Sequence, residues 1–119
     1  MDPRRRFGNK AENLAARFLV SKGYKILKRQ YRTRGGEIDL IALDGDEIVF
    51  IEVKARTTNE FGYPEESVTR DKLRKIQATA ELYLSKSKSL NSPYRIEVVA
   101  VEYQKGMDPI ITIVPVVEV

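Results

Sequence analysis

The sequence predicts an α/β fold: a single domain with a mixed central β-sheet of about five strands flanked by helices, in the order α-β-β-β-α-β-β. Three observations carry this. Apolar residues recur at helical spacing in two stretches, one near the N-terminus and one after residue 68. Between and beyond them run short segments rich in Ile, Val, Leu and Tyr, bounded by Gly, Asp, Ser and Pro, the pattern of strands. One segment, Ile48-Val49-Phe50-Ile51, is apolar on both faces, which makes it a central strand covered on two sides.

The elements follow in order. Residues 1–7 carry Arg4, Arg5 and Arg6 and read as a flexible basic arm, with the domain itself spanning 8–119. Over 9–22, Ala11, Leu14, Ala15, Phe18 and Leu19 form one apolar stripe, with Asn9 fitting the N-cap and Gly23 the stop. Glu12 falls at the border of that stripe, not on the outer face. Residues 24–32 form a first strand with Tyr24 and Ile26 on one face, and Arg34-Gly35-Gly36 makes a turn. The second strand covers 37–43 and the third 47–55, and Asp44-Gly45-Asp46 between them predicts a tight hairpin. Residues 56–66, with Gly62 and Pro64, form a polar loop. Thr69 fits the N-cap of a second helix reaching about residue 87, Val68 and Leu73 can staple its entry, and Leu73, Ile76, Ala80, Tyr83 and Leu84 form its inward stripe. A fourth strand spans 94–103 and a fifth 110–119, the latter at an edge because Pro115 cannot donate to a ladder.

Composition excludes much chemistry. The chain has no Cys and no His, so it has no disulfide, no thiol nucleophile and no imidazole base, and any metal must be held by oxygen, which favours Mg²⁺, Mn²⁺ or Ca²⁺. No apolar run is long enough to span a membrane and the N-terminus lacks the apolar middle of a signal peptide, so a cytoplasmic protein is expected, with no membrane partner. Net charge is +4, and the first 34 residues hold eleven Lys or Arg against Asp2 and Glu12 alone. That asymmetry suits a polyanionic partner, nucleic acid above all.

The charges inside the apolar strands are the sharpest signal. Gly36-Glu37-Ile38-Asp39-Leu40-Ile41 and Val49-Phe50-Ile51-Glu52-Val53-Lys54 each set charged groups into a strand, at a cost that needs compensation. Alternation puts Glu37, Asp39 and Ile41 on one face of the second strand, and Ile48, Phe50, Glu52 and Lys54 on one face of the third. If hairpin register brings Asp39 beside Glu52, the two carboxylates repel unless one is protonated or a cation lies between them. A hard dication would answer this, with the backbone carbonyl of Val53 as a further ligand, Lys54 assisting a water and Glu12 completing the shell. The ordinary reading stays open beside it: Glu52 with Lys54 as an ion pair on an alternating face, and Asp39 as a hydrogen-bonded turn residue.

The stretches Gly8-Asn9-Lys10-Ala11-Glu12, Arg34-Gly35-Gly36-Glu37-Ile38-Asp39-Leu40-Ile41, Phe50-Ile51-Glu52-Val53-Lys54-Ala55-Arg56, and Ser67-Val68 with Lys72 resemble the YraN-like family of bacterial proteins. Through it the chain resembles the PD-(D/E)XK nuclease superfamily, restriction endonuclease-like in fold and including Holliday junction resolvases. Ile38 stands where many superfamily members have Pro, and Glu97 where the narrower family often has Asp. The resemblance implies that Asp39 and Glu52 bind Mg²⁺ or Mn²⁺, that Lys54 assists the attacking water and that Glu12 supports the site. It implies a metal-dependent nuclease hydrolysing phosphodiester bonds in DNA, branched or single-stranded forms included. The alternatives are a nucleic-acid-binding module of the same fold without catalysis, and a structural subunit in which these charges form a buried ion network.

Arg32, Arg34, Arg56, Arg70, Lys72, Arg74 and Lys75 flank these residues in sequence and suit phosphate contacts. Arg70 to Lys75 serve equally as the solvated face of a helix. Phe61 and Tyr63 suit either loop packing or stacking on unpaired bases, while Tyr31 is read as core and Gln77 as an ordinary polar helix residue. The fifth strand, lying at an edge, offers one route to a homodimer.

Overall fold

The computed structural model describes residues 3–57, 68–89 and 91–116. Helix α1 runs Pro3–Ser21, strands β1, β2 and β3 run Lys25–Thr33, Gly36–Asp44 and Glu47–Thr57, helix α2 runs Arg70–Lys86, and strands β4 and β5 run Tyr94–Tyr103 and Ile110–Pro115. The expected order and the five-stranded mixed sheet are present. The start of the first helix differs. Helix α1 starts at Pro3, so residues 3–7, expected as a flexible arm, are helical and Asn9 lies inside the helix instead of capping it. Pro is well suited to a first helical turn, where its missing N–H has no partner to lose. The loop with Phe61, Gly62, Tyr63 and Pro64 and the last residues expected in the fifth strand, 117–119, lie outside the described residues.

The strands lie in sequence order, β1-β2-β3-β4-β5, antiparallel except for the parallel pair β3–β4 that α2 connects. β3 is the central strand, with Val49, Phe50 and Ile51 sealed from solvent as its two-sided apolar pattern requires. α1 covers one face through Ala11, Ala15 and Leu19 on Leu40, Ala42, Val49 and Ile51. α2 covers the other through Ile76, Ala80 and Leu84 on Ile38, Ile41, Phe50 and Ile96. Tyr31 is core, as read from sequence: its ring meets Tyr83 edge-on at 5.4 Å, and Tyr83 meets Phe50 at 5.9 Å.

The two ends of the sheet are finished differently. At the hairpin end, Asp44 pairs with Glu47 across Gly45-Asp46, and Gly45 takes the positive φ of 60° that a two-residue turn demands. There Arg95 of β4 gathers Asp44 at 2.7 Å, Glu47, and the buried Glu97 at 3.3 Å, while the Tyr24 hydroxyl donates to Glu97 at 2.8 Å. Asp44, Glu47 and Glu97 thus share one guanidinium.

At the other end α2 presses on the start of β2. A Cβ on Gly36 would stand 2.9 Å from Thr79 Oγ1 and 3.4 Å from the Lys75 carbonyl. Thr79 is buried and its hydroxyl donates to that same carbonyl at 2.8 Å, so it has no room to retreat. Gly36→Ala should therefore lower stability by roughly 1–3 kcal/mol, an overpacking cost measurable by urea denaturation.

Candidate functional site

The site forms where β2 leaves β3. Their ladder is regular from Asp44–Glu47 to Leu40–Ile51 and ends there, one step short of Asp39 and Glu52. β2 also changes phase at this point. Leu40 and Ala42 pack toward α1 and Ile41 toward α2, yet Ile38 packs toward α2 where strict alternation from Leu40 would turn it to α1. Across β2 on its other side, Gln30 of β1 is skipped between the pairs Arg29–Leu40 and Tyr31–Ile38 and takes a left-handed φ of 51°. Asp39 thus sits in a gap between its neighbours on both sides.

Its side chain takes over the missing ladder bond. The Val53 N–H donates to Asp39 Oδ2 at 2.7 Å. In an extended strand the N–H and C=O of one residue point to the same side, so the Val53 carbonyl faces the same gap. Glu52, the next residue back, is largely buried and projects toward α2, where the Lys72 ammonium meets its Oε1 at 2.8 Å. Lys72 is fixed at its backbone by the cap of α2, donating its N–H to Thr69 Oγ1 at 3.2 Å. On the α1 side, Glu12 is buried and accepts from Arg29 at 3.3 Å, and Asn13 accepts from the same guanidinium at 2.5 Å.

Asp39 and Glu37 line a cleft on each face of the sheet. The larger, about 490 Å³, opens on the α2 side between Gly36, Glu52, Thr69, Lys72 and Lys75. The smaller, about 220 Å³, opens on the α1 side between Asn9, Glu12, Gln30, Arg32 and Val53. Burial, then the nearby Glu52, raises the Asp39 carboxyl from its ordinary 3.8 to about 7, with lesser pushes from Glu12 and Glu37 and an opposing pull from the Val53 hydrogen bond. Three further carboxylates act on one that is already short of solvent.

The sequence-predicted residues fall into three groups. Asp39 and Glu52 stand together, with the Val53 carbonyl turned to the same gap. Glu12 reaches the neighbourhood from α1 but is engaged by Arg29. Lys54 shares the Glu52 side of β3, is half-buried, lines neither of these clefts, and has no hydrogen bond or ion pair among the described residues. Of the basic residues, Lys72 and Lys75 line the larger cleft, Arg70 and Arg74 are exposed on α2, and Arg34 is exposed in the β1–β2 turn. Arg32 donates to Glu37 at 3.2 Å beside the smaller cleft. Arg56 lines neither of these clefts, is mostly buried, and donates to Glu102 of β4 at 3.1 Å. The partners Arg29 and Thr69 and the pairing of Lys72 with Glu52 were not foreseen as parts of the site. Thr69 alone carried a signal, as a helix cap.

The donor chemistry fits a hard dication. Among the described residues no three acidic side chains converge closely enough to cage an ion. Mg²⁺ asks for less, since it commonly keeps several waters and takes one or two carboxylates with substrate phosphates. Asp39, Glu52 and the Val53 carbonyl offer that smaller set, and the repulsion raising Asp39 is what a cation between the two carboxylates would relieve.

Residues 11–101 match the profile of the uncharacterised protein family UPF0102. The chain belongs to UPF0102, the YraN-like family. A UPF0102 protein of Caldicellulosiruptor saccharolyticus is 44% identical over 98 residues, covering 82% of this chain and 83% of that protein. One from Geobacter metallireducens is 43% identical over 103 residues, covering 87% and 84%. One from Symbiobacterium thermophilum is 48% identical over 98 residues, covering 82% and 83%. The UPF0102 match begins at Ala11 and ends at Val101, so it includes Glu12, Asp39, Glu52, Lys54 and Lys72 and stops short of β5.

A pH test follows from Asp39. Its folded-state pKa lies above the unfolded value, so the folded chain holds the extra proton. Stability from this group is full below the ordinary carboxylate range and is lost as pH rises through about 7. Thermal denaturation of the parent should therefore show a fall in midpoint from pH 5 to pH 8 that is clearly smaller in Asp39→Asn.

Proposed function

We propose that this chain is a metal-dependent nuclease that hydrolyses phosphodiester bonds in DNA, with Asp39 and Glu52 as cation ligands. The observation that carries this reading is the Asp39–Glu52 pair at the parting of β2 and β3, facing a cleft whose rim holds Lys72 and Lys75. A bound Mg²⁺ or Mn²⁺ would supply an acidified water and charge neutralisation at the phosphoryl oxygens. Asp39 is held in place by Val53 N–H, so its second oxygen has a fixed direction. Lys54, two residues beyond Glu52 on the same strand face, brings an ammonium that can orient the attacking water or hold the phosphate. Glu12 and Arg29 brace the α1 side of the gap. Lys75 with Arg70 and Arg74 gives the exposed first turns of α2 a positive surface for backbone phosphates, affinity without base selection. No described helix is long and apolar enough to cross a membrane.

A second reading, a nucleic-acid-binding module without catalysis, is favoured by the ion pairs that already engage Glu12 and Glu52. One panel separates the two. Labelled duplex, flap, junction and single-stranded DNA are incubated with Mn²⁺ and with the parent, Asp39→Ala or Glu52→Gln. Cleavage by the parent that falls about 100-fold or more in both variants, with folding intact by circular dichroism, supports the nuclease. Equal cleavage by the variants removes Asp39 and Glu52 from the mechanism, and DNA binding with no cleavage leaves the binding module.

A further inference from the structure

The cation on Glu52 is supplied by the chain itself. Lys72 Nζ lies 2.8 Å from Glu52 Oε1, on the cleft side of the carboxylate that a dication would use. The two partners differ in freedom. The Glu52 side chain is 14% exposed and sits on the central strand, whereas that of Lys72 is 40% exposed and hangs from the first turn of α2. Its backbone is pinned by Thr69, but its four-carbon stem is free to swing over the open cleft.

We propose that Lys72 is an exchangeable counter-ion, neutralising Glu52 until a divalent cation binds and then turning to a phosphate of the bound nucleic acid, so that metal and nucleic acid bind with positive coupling through this side chain. The inference rests on the reading of Asp39 and Glu52 as a cation site. Once the oxygens of Glu52 serve a dication, an ammonium at 2.8 Å faces a like charge and must leave. Of the other acids of the cleft, Asp39 would share the dication, Glu37 pairs with Arg32 at 3.2 Å, and Asp71 with Lys75 at 3.9 Å. Asp71 is also the chain neighbour of Lys72, and adjacent residues on a helix do not face each other. A phosphate entering the cleft is then the acceptor left for the released ammonium. Linkage makes the effect reciprocal: metal strengthens the grip on nucleic acid, and nucleic acid strengthens the grip on metal.

The test compares the parent with Lys72→Gln and Lys72→Arg. All three should fold alike by circular dichroism, because this side chain stands on a helix surface. Calorimetric titration with Mn²⁺ alone should show Lys72→Gln binding about fivefold more tightly than the parent, since the competing ion pair is gone, with Lys72→Arg near the parent. Fluorescence anisotropy of a labelled single-stranded DNA, with Ca²⁺ or with EDTA, should show Ca²⁺ raising affinity for the parent. In Lys72→Gln this gain should shrink, and the slope of log affinity against log salt in Ca²⁺ should fall by about one. Mn²⁺ bound by the parent and by Lys72→Gln with equal affinity, or more weakly by Lys72→Gln, overturns the exchange and leaves the cation site standing. Failure of both proteins to bind Mn²⁺ overturns the cation site and the exchange with it.

Discussion

The hydrogen bond from Val53 N–H to Asp39 is the contact on which the site depends. A central strand must satisfy its backbone groups on both sides, because a buried N–H without an acceptor is costly. β2 supplies acceptors to β3 as far as Leu40 and then turns away. The carboxylate of Asp39 takes the place of the next backbone carbonyl, and this lets the strands part without leaving Val53 unsatisfied. The gap that results is polar, opens to both faces of the sheet, and is rimmed by acids from α1, β2 and β3.

The contrast between the sheet ends follows from how charge is matched. Arg95 collects three carboxylates, those of Asp44, Glu47 and Glu97, and a tyrosine hydroxyl at the hairpin end. At the opening end Glu12 has Arg29 and Glu52 has Lys72, but among the described residues Asp39 has only a backbone N–H. Burial and the neighbouring carboxylates then raise its proton affinity. The first arrangement is a closed structural clamp. The second leaves a carboxyl without a cationic partner among the described residues, beside open space and the basic residues Lys72 and Lys75.

Much of the fold was legible because it follows from local periodicity. Two 3.6-residue patterns gave α1 and α2, Thr69 marked the start of α2, and the two-sided apolar run at Val49-Phe50-Ile51 identified the central strand. Pro115 correctly assigned β5 to an edge. The start of α1 was not legible, since the Arg-rich segment at residues 4–6 has no apolar stripe to mark a helix and its low hydrophobicity reads equally as an arm. For the site, the order of charged residues in the chain was legible and their pairing was not. The place of Arg56 after Lys54 was legible, but its pairing with Glu102 comes from the parallel register of β3 and β4.

By itself the sequence determined which segments are helices and strands, which strand is central, that only oxygen ligands exist, and that acids interrupt two adjacent apolar strands. These are properties of residues and of their spacing along a few turns or pleats. Tertiary structure decided where β2 leaves β3, that Asp39 faces both clefts, and that Lys72 is the ion on Glu52. Each of these depends on strand register and on the close approach of α2 to Gly36, contacts between residues far apart in the chain whose geometry no local pattern encodes.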